Sequence, residues 1–181
     1  MTLAGDVIGK LAGEGKDKDL VYATVSHALG AEIDNLTLSG SAAIDRTGNA
    51  LANTIIGNGA ANLIVGGGID TLSGRVSDDR LEGGEGNDRL VGGAGADVLL
   101  GGTGNDRFDF DALADSGPGA LADLILHFVR GQDKVDLPNI DAVAGTTTNE
   151  AVRFIGEALF SGVAGELCFE RVDGISDRTL V

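Results

Sequence analysis

Three copies of a nine-residue unit follow one another without a gap between residues 83 and 109: GGEGNDRLV, GGAGADVLL and GGTGNDRFD. Each copy fits the pattern G-G-x-G-x-D-x-U-x, in which U is a large apolar residue. Glycine permits positive φ angles and close approach of neighbouring backbones, so the first positions predict a tight turn. The last three positions alternate outward and inward side chains, which is the period of a short strand. The repeat therefore predicts an all-β fold in which strand–turn units stack as a parallel β-roll.

The sixth position of the unit carries an aspartate, and this series extends beyond the perfect copies. Its members are nine residues apart: Asp70, Asp79, Asp88, Asp97 and Asp106. Upstream, Asn53 and Asn62 occupy the same position, and one residue is missing between Asn62 and Asp70. Because two units make one coil, turns on one edge recur every second unit. Asp70, Asp88 and Asp106 are predicted to stack on one edge, and Asp79 and Asp97 on the other.

The chemistry of these turns points to calcium. Carboxylates and backbone carbonyls are hard oxygen ligands, and no thiolate or imidazole accompanies them in the repeats. Two carboxylates at the strand spacing of about 4.8 Å repel by about 3.5 kcal/mol at an effective dielectric of about 20. We therefore predict that several calcium ions bind between the turns and that binding is coupled to folding.

Two kinds of turn depart from the pattern. The asparagine turns lack the charge of an aspartate, so Asn53 and Asn62 are predicted to be structural. In the turn GRVSDD, Arg75 and Ser77 stand where glycines belong. This turn, which ends at Asp79, is predicted to be the weakest calcium turn.

One apolar residue in each unit is predicted to face the interior of the roll. The predicted core residues are Ile55, Ile64, Leu72, Leu81, Leu90, Leu99 and Phe108. Beyond Phe108 the nine-residue period stops, and the C-terminal third is predicted to form β-segments with a more conventional core.

Composition narrows the possible functions. The net charge of −15 argues against nucleic acid or an anionic membrane as a partner and suits a multivalent cation. No apolar run has the roughly 20 residues of a membrane-spanning helix. The only cysteine, Cys168, excludes an intramolecular disulfide and is interpreted as a small buried hydrophobe.

No catalytic constellation is found in the sequence. The only histidines, His27 and His127, are one hundred residues apart, so H-E-x-x-H is absent, and G-x-S-x-G is absent as well. We expect that this chain is not an enzyme.

Four segments resemble a known family: GNALANTIIGN (48–58), GNDRFDF (104–110), GQDKVDLPNIDA (131–142) and FIGEALFSGVAGEL (154–167). They are similar to the RTX, or haemolysin-type, calcium-binding proteins. The C-terminal third resembles, more specifically, the C-terminal domain of serralysin-type proteins.

The resemblance implies a parallel β-roll followed by a β-sandwich-like cap. The chain is accordingly divided into a degenerate repeat region (1–47), the calcium-binding roll (48–110) and the serralysin-type cap (111–181). It also implies that calcium lies between successive turns, bound by the aspartates and by carbonyls of the second and fourth loop glycines. Carried onto this sequence, the implied ligands are Asp70, Asp79, Gly84, Gly86, Asp88, Gly93, Gly95, Asp97, Gly102, Gly104 and Asp106.

For function, the resemblance implies export by a type I secretion machinery to the extracellular space, where calcium folds the chain. The chain is then expected to be a C-terminal part of a larger secreted protein, such as a serralysin-type metalloprotease. The alternative is a stand-alone extracellular adhesion or polysaccharide-binding protein, similar to the repeat modules of alginate epimerases. The outward-facing Arg80, Arg89 and Arg107 are either a solvated face or a contact for such a polysaccharide.

Overall fold

The computed structural model describes residues 20–112, 114–116 and 122–137, together with the strand backbones at 7–9, 153–156, 166–168 and 178–180. The described residues form strands and turns, with no helix among them. The strands are β1 (Val7–Gly9), β2 (Leu20–Ala23), β3 (His27–Ala28), β4 (Asn35–Leu38), β5 (Arg46–Thr47), β6 (Thr54–Ile56), β7 (Leu63–Val65), β8 (Thr71–Val76), β9 (Arg80–Glu85), β10 (Arg89–Ala94), β11 (Val98–Thr103), β12 (Arg107–Asp109), β13 (Leu124–Leu126), β14 (Lys134–Asp136), β15 (Arg153–Gly156), β16 (Glu166–Cys168) and β17 (Arg178–Leu180).

Alternate strands belong to two parallel sheets. The first sheet has the order β1-β2-β4-β6-β8-β10-β12-β14, in which only β1 is antiparallel to its neighbour. The second sheet has the order β17-β13-β11-β9-β7-β5-β3, in which only β17 is antiparallel. This alternation is that of a parallel β-roll, as the repeat predicts. The strands β15 and β16 form a separate parallel pair.

The register shows how long each coil is. Thr71 lies beside Arg89, and Arg89 beside Arg107, so the regular coil contains 18 residues. Thr54 pairs with Thr71 after only 17 residues, because the turn that ends at Asp70 is one residue short. At the C-terminal end, Arg107 pairs with Lys134 after 27 residues, so an insertion of about one repeat is looped out without breaking the stack.

The interior of the roll is the predicted column of apolar side chains. All seven predicted core residues are fully buried, which confirms the assignment of inward positions. The core also continues beyond them on both sides, with Leu36 and Ile44 upstream and Ile125 downstream. Since each strand contributes one such residue per coil, the burial of the column fixes the register of both sheets.

The parallel pairing crosses both boundaries drawn from the sequence. β5, which ends at Thr47, pairs with β7, and β12 pairs with β14 beyond residue 110. The β-sandwich-like cap predicted for residues 111–181 falls largely outside the described residues.

Candidate functional site

The aspartates of the repeat form two ladders, one along each edge of the roll. On the first edge, the backbone N–H of Asp70 donates to Oδ1 of Asp88 at 2.8 Å, and that of Asp88 to Oδ1 of Asp106 at 3.0 Å. On the second edge, the N–H of Asp79 donates to Oδ1 of Asp97 at 2.7 Å. The predicted distribution of the aspartates between the two edges is therefore confirmed, and one carboxylate oxygen of each rung holds adjacent coils together.

The ladders are longer than the repeat pattern indicated. Asp97 N–H donates to Oδ1 of Asp123 at 2.9 Å, and Asp106 N–H donates to Oδ1 of Asp133 at 2.9 Å. These two rungs were missed in the sequence because the glycine turn before them is replaced by the insertion. The remaining signal is the second half of the unit, D-x-U, which survives as DLI at 123–125 and DKV at 133–135.

The second oxygen of most rungs has no hydrogen-bond partner within the described part of the chain. This is true of the buried Oδ2 atoms of Asp79, Asp88, Asp97, Asp106 and Asp123. Each of these residues is no more than 3 % exposed. An ionised carboxylate can only accept hydrogen bonds, and a buried one without a partner is costly. Each of these oxygens is therefore a position that a cation would stabilise.

Burial changes the protonation of these carboxyls. Desolvation is the main cause that raises the pKa of Asp88 to about 7, and the charges of Asp70 and Asp106 raise it further. Desolvation likewise raises the pKa of Asp79 to about 7 and that of Asp123 to about 8. In the metal-free turns these aspartates therefore titrate near neutral pH. Each carboxyl then either takes up a proton or needs a counter-ion.

Backbone carbonyls supply further oxygens at the same turns. The second and fourth loop positions have positive φ, for example 100° at Gly84 and 121° at Gly86. A Cβ atom added at Gly104 would meet the carbonyl oxygen of Gly86, and one added at Gly86 would meet that of Gly68. The other predicted ligand glycines, Gly93, Gly95 and Gly102, have positive φ as well. Glycine is required here because a side chain would collide with the carbonyl of the preceding coil.

These donors fit calcium better than a transition metal. Among the described residues, no group of three or more His, Cys, Asp or Glu side chains could hold an ion by itself. A metal in these turns must therefore be bound by few carboxylates and several carbonyls. Calcium takes 6–8 oxygen ligands of this mixed kind, whereas zinc prefers nitrogen and sulfur.

Two predicted turns differ from the rest. Arg75 and Ser77 replace glycines, yet they adopt the same left-handed conformation, with φ of 87° and 78°. Asp70 lies in the shortened turn, where its Oδ2 accepts the N–H of Gly67 at 2.7 Å. Asp70 is thus the one predicted ligand whose second oxygen is already bound by the protein.

The outward arginines of the repeat lie in ion pairs. Arg80 pairs with Glu82 at 2.6 Å on the second sheet. On the first sheet, Arg107 pairs with Asp136 at 2.8 Å, and Arg89 pairs with the buried carboxylate of Asp109 at 2.5 Å. These cations are therefore matched by acidic side chains of the same face.

A parallel roll with two ladders of buried aspartates, in which five Oδ2 atoms lack a partner among the described residues, and with left-handed glycine turns beside them defines a calcium-binding repeat protein. Residues 47–116 match the RTX calcium-binding nonapeptide repeat (4 copies), in overlapping windows at 47–68, 58–90, 66–99, 73–108 and 82–116. The chain therefore contains RTX repeats, and calcium is their ligand. No match is found among curated proteins. None of the described segments is a helix long and apolar enough to cross a membrane.

Proposed function

We propose that this chain is a calcium-dependent folding module whose calcium ligands are the aspartates and loop glycines of the two ladders. The observation that carries the proposal is the set of five buried Oδ2 atoms that have no hydrogen-bond partner among the residues that the structure describes. The proposed ligands are those predicted from the sequence, with Asp123 added at the end of the second ladder. Asp70 differs from the other aspartates of the set, since Gly67 already donates to its Oδ2.

The physical reason for coupling is the charge in each ladder. Without a cation, folding brings carboxylates of neighbouring coils together and removes them from water, which disfavours the roll at neutral pH. With calcium bound, the same oxygens become ligands and the free energy of binding adds to the stability of the folded state.

The direct test is a far-UV circular-dichroism titration of the full chain with calcium after treatment with a chelator. We expect β-structure to form with a midpoint of about 10⁻⁴–10⁻³ M, the range of extracellular calcium modules. Magnesium at equal concentration should not replace calcium, because it requires octahedral geometry and retains its waters. Identical spectra in chelator and in calcium about ten times above that range would contradict the proposal.

A pair of variants makes the test specific to the ladder. Asp88→Asn should shift the calcium midpoint upward, because it removes the charge of a buried rung. Glu85→Gln makes the same chemical change in the same turn, but Glu85 is exposed and should leave the midpoint unchanged. Equal shifts for both variants would mean that bulk charge, and not the ladder, sets calcium affinity.

We propose further that the module acts outside the cell after export by a type I secretion machinery. Calcium in the cytosol is too scarce to fill sites of this affinity, so the chain stays loosely folded there, as an exporter that threads an unfolded chain requires. Limited proteolysis should degrade the repeats in chelator and spare them in millimolar calcium. Efficient export of the chain with its calcium sites already filled would argue against this proposal.

The larger context is proposed to be a secreted protein such as a serralysin-type metalloprotease, with this chain in its C-terminal part and without catalysis of its own. An in-frame H-E-x-x-H domain encoded upstream would support this context, whereas further repeats would favour a stand-alone adhesion protein. The polysaccharide-binding alternative has less support, because Arg80, Arg89 and Arg107 already pair with acidic side chains.

A further inference from the structure

Two turns upstream of the aspartate ladders are built from asparagine. Their sequences are GNALAN (48–53) and GNGAAN (57–62), with asparagine at the second and sixth positions. Apart from glycine, the described residues with positive φ are Arg75, Ser77 and His127. The second and fourth positions of the asparagine turns therefore lack the left-handed backbone that Gly84 and Gly86 have in a calcium turn.

In the first of these turns, side-chain amides bind the preceding coil. Asn49 Nδ2 donates to the carbonyls of Gly30 at 2.7 Å and Ile33 at 2.8 Å. Asn53 Nδ2 donates to the carbonyls of Ile33 at 3.0 Å and Asp34 at 3.2 Å. Four hydrogen bonds from two amides thus connect this turn to the coil before it.

The second turn follows the same plan on the other edge. Asn58 Nδ2 donates to the carbonyl of Ala42 at 2.8 Å, and Asn62 Nδ2 donates to the carbonyl of Ile44 at 3.0 Å. Within each turn the amide oxygens are used as well, since Asn58 N–H donates to Oδ1 of Asn62 at 3.1 Å.

The difference between asparagine and aspartate explains why one turn needs a metal and the other does not. An amide both donates and accepts, so its NH₂ group can bridge to the carbonyls of the coil before it. An ionised carboxylate has no donor and is repelled by carbonyl oxygens, so a cation or an added proton is needed to bridge the two. The corresponding Oδ2 atoms of Asp79 and Asp88 accordingly have no hydrogen-bond partner in the described part of the chain.

The amide-bonded turns are continuous with the acidic ladders. The N–H of Asn53 donates to Oδ1 of Asp70 at 2.8 Å, and the N–H of Asn62 donates to Oδ1 of Asp79 at 2.7 Å. The same segment has an apolar interior of its own, in which Leu36, Ile44, Ile55 and Ile64 are at most 2 % exposed.

We infer that residues 30–65, here called the amide-closed coils, fold without calcium and provide the edge on which the calcium-dependent coils assemble. Only the assembly of the calcium-dependent coils on this edge rests on the proposed function; the folding of residues 30–65 without calcium does not. Repeat arrays gain stability from contacts between neighbouring units, so a preformed unit lowers the cost of ordering the next one.

Hydrogen exchange of the full chain, resolved by mass spectrometry, tests the inference. In chelator, peptides from 35–65 should exchange at least about tenfold more slowly than peptides from 80–109, because only the former belong to an ordered unit. Added calcium should then slow exchange at 80–109. Equal exchange of the two regions in chelator overturns the inference. Failure of calcium to slow exchange at 80–109 would instead overturn the proposed function.

Substitution of the asparagines tests whether the hydrogen bonds of their amides, and not the general stability of the chain, hold these coils. Asn62→Asp and Asn53→Asp each replace a donor by an acceptor that faces carbonyls, and each should raise exchange at 35–65 in chelator by about tenfold or more. Asn105→Asp is the matched control, because it makes the same change at an exposed side chain. Unchanged exchange at 35–65 in both Asn53→Asp and Asn62→Asp would show that the amides do not hold these coils, and the inference would fail.

Discussion

Acid should replace calcium in part, because protonation removes the same charge that a cation neutralises. The perturbation is a change from pH 8.5 to pH 5.5 in the presence of chelator. The carboxyls concerned are those whose pKa burial raises well above the unfolded value of 3.8, to about 7 for Asp79 and Asp88, about 6 for Asp97 and about 8 for Asp123. Between 3.8 and these values the folded chain binds protons that the unfolded chain does not, so the free energy of unfolding rises as the pH falls.

The size of the effect follows from how far pH 5.5 lies below each raised pKa. At about 1.4 kcal/mol for each pH unit, Asp79 and Asp88 contribute about 2 kcal/mol each and Asp123 about 3 kcal/mol. Asp97 contributes less than about 1 kcal/mol, because its pKa is close to the final pH. The total of several kcal/mol is comparable to the whole stability of a small domain. The final pH also stays above the isoelectric point of about 4.2, where precipitation would obscure folding.

The assay is far-UV circular dichroism and urea unfolding of the chelated protein across this pH range. We expect β-structure and resistance to urea to increase towards pH 5.5, and the affinity of the folded chain for calcium to fall, since calcium must then displace protons. Asp88→Asn should reduce the pH dependence, whereas Glu85→Gln, at an exposed position of the same turn, should not. A metal-free chain that is equally unstructured at both pH values would refute the reasoning.

Three further predictions test the turns. Calcium affinity should fall more for Asp88→Ala than for Asp79→Ala, because the turn before Asp79 is strained at its second and fourth positions; isothermal titration that gives the reverse order would show that this ranking is wrong. Arg75→Gly removes the strain of a non-glycine residue in the left-handed conformation. The free energy of unfolding in calcium should rise by about 0.5–1 kcal/mol, which is the strain removed minus the entropy cost of glycine. An unchanged melting temperature would mean that Arg75 is not strained. Gly104→Ala should destabilise the calcium-bound roll by about 3 kcal/mol or more, because its Cβ would meet the carbonyl of Gly86; Gly59→Ala, whose Cβ has only ordinary contacts, is the control and should be nearly neutral.

The sequence was sufficient to predict the parts of the fold that depend on periodicity. Leu72 and Leu90 were placed inside because a strand alternates its side chains, and both are fully buried. The assignment of Asp88 and Asp79 to opposite edges followed from counting two units to a coil. These predictions succeed because a fixed repeat leaves one register in which every apolar residue is buried.

What the sequence did not predict depends on contacts that a nine-residue pattern does not encode. The insertion before Asp123 and Asp133 interrupts the period, although both residues resume the ladders of the preceding coils. Nor does the pattern show that one oxygen of each aspartate accepts a hydrogen bond from the backbone of the neighbouring coil, while the second oxygen of five of them has no partner among the described residues. The asparagine turns were predicted to be structural, but the acceptors of their amides lie 16–20 residues away and become evident only in three dimensions.

The two kinds of turn show what aspartate contributes to this roll. Asn53 and Asn62 close their turns with hydrogen bonds alone, so the backbone does not require a metal in order to stack. Aspartate at the same position leaves an acceptor that the protein cannot satisfy, which makes the metal-free coil less stable and gives calcium a large differential affinity for the folded state. The aspartate turns are therefore less stable alone than amide turns would be, and that deficit is what allows the concentration of calcium to decide whether the roll forms.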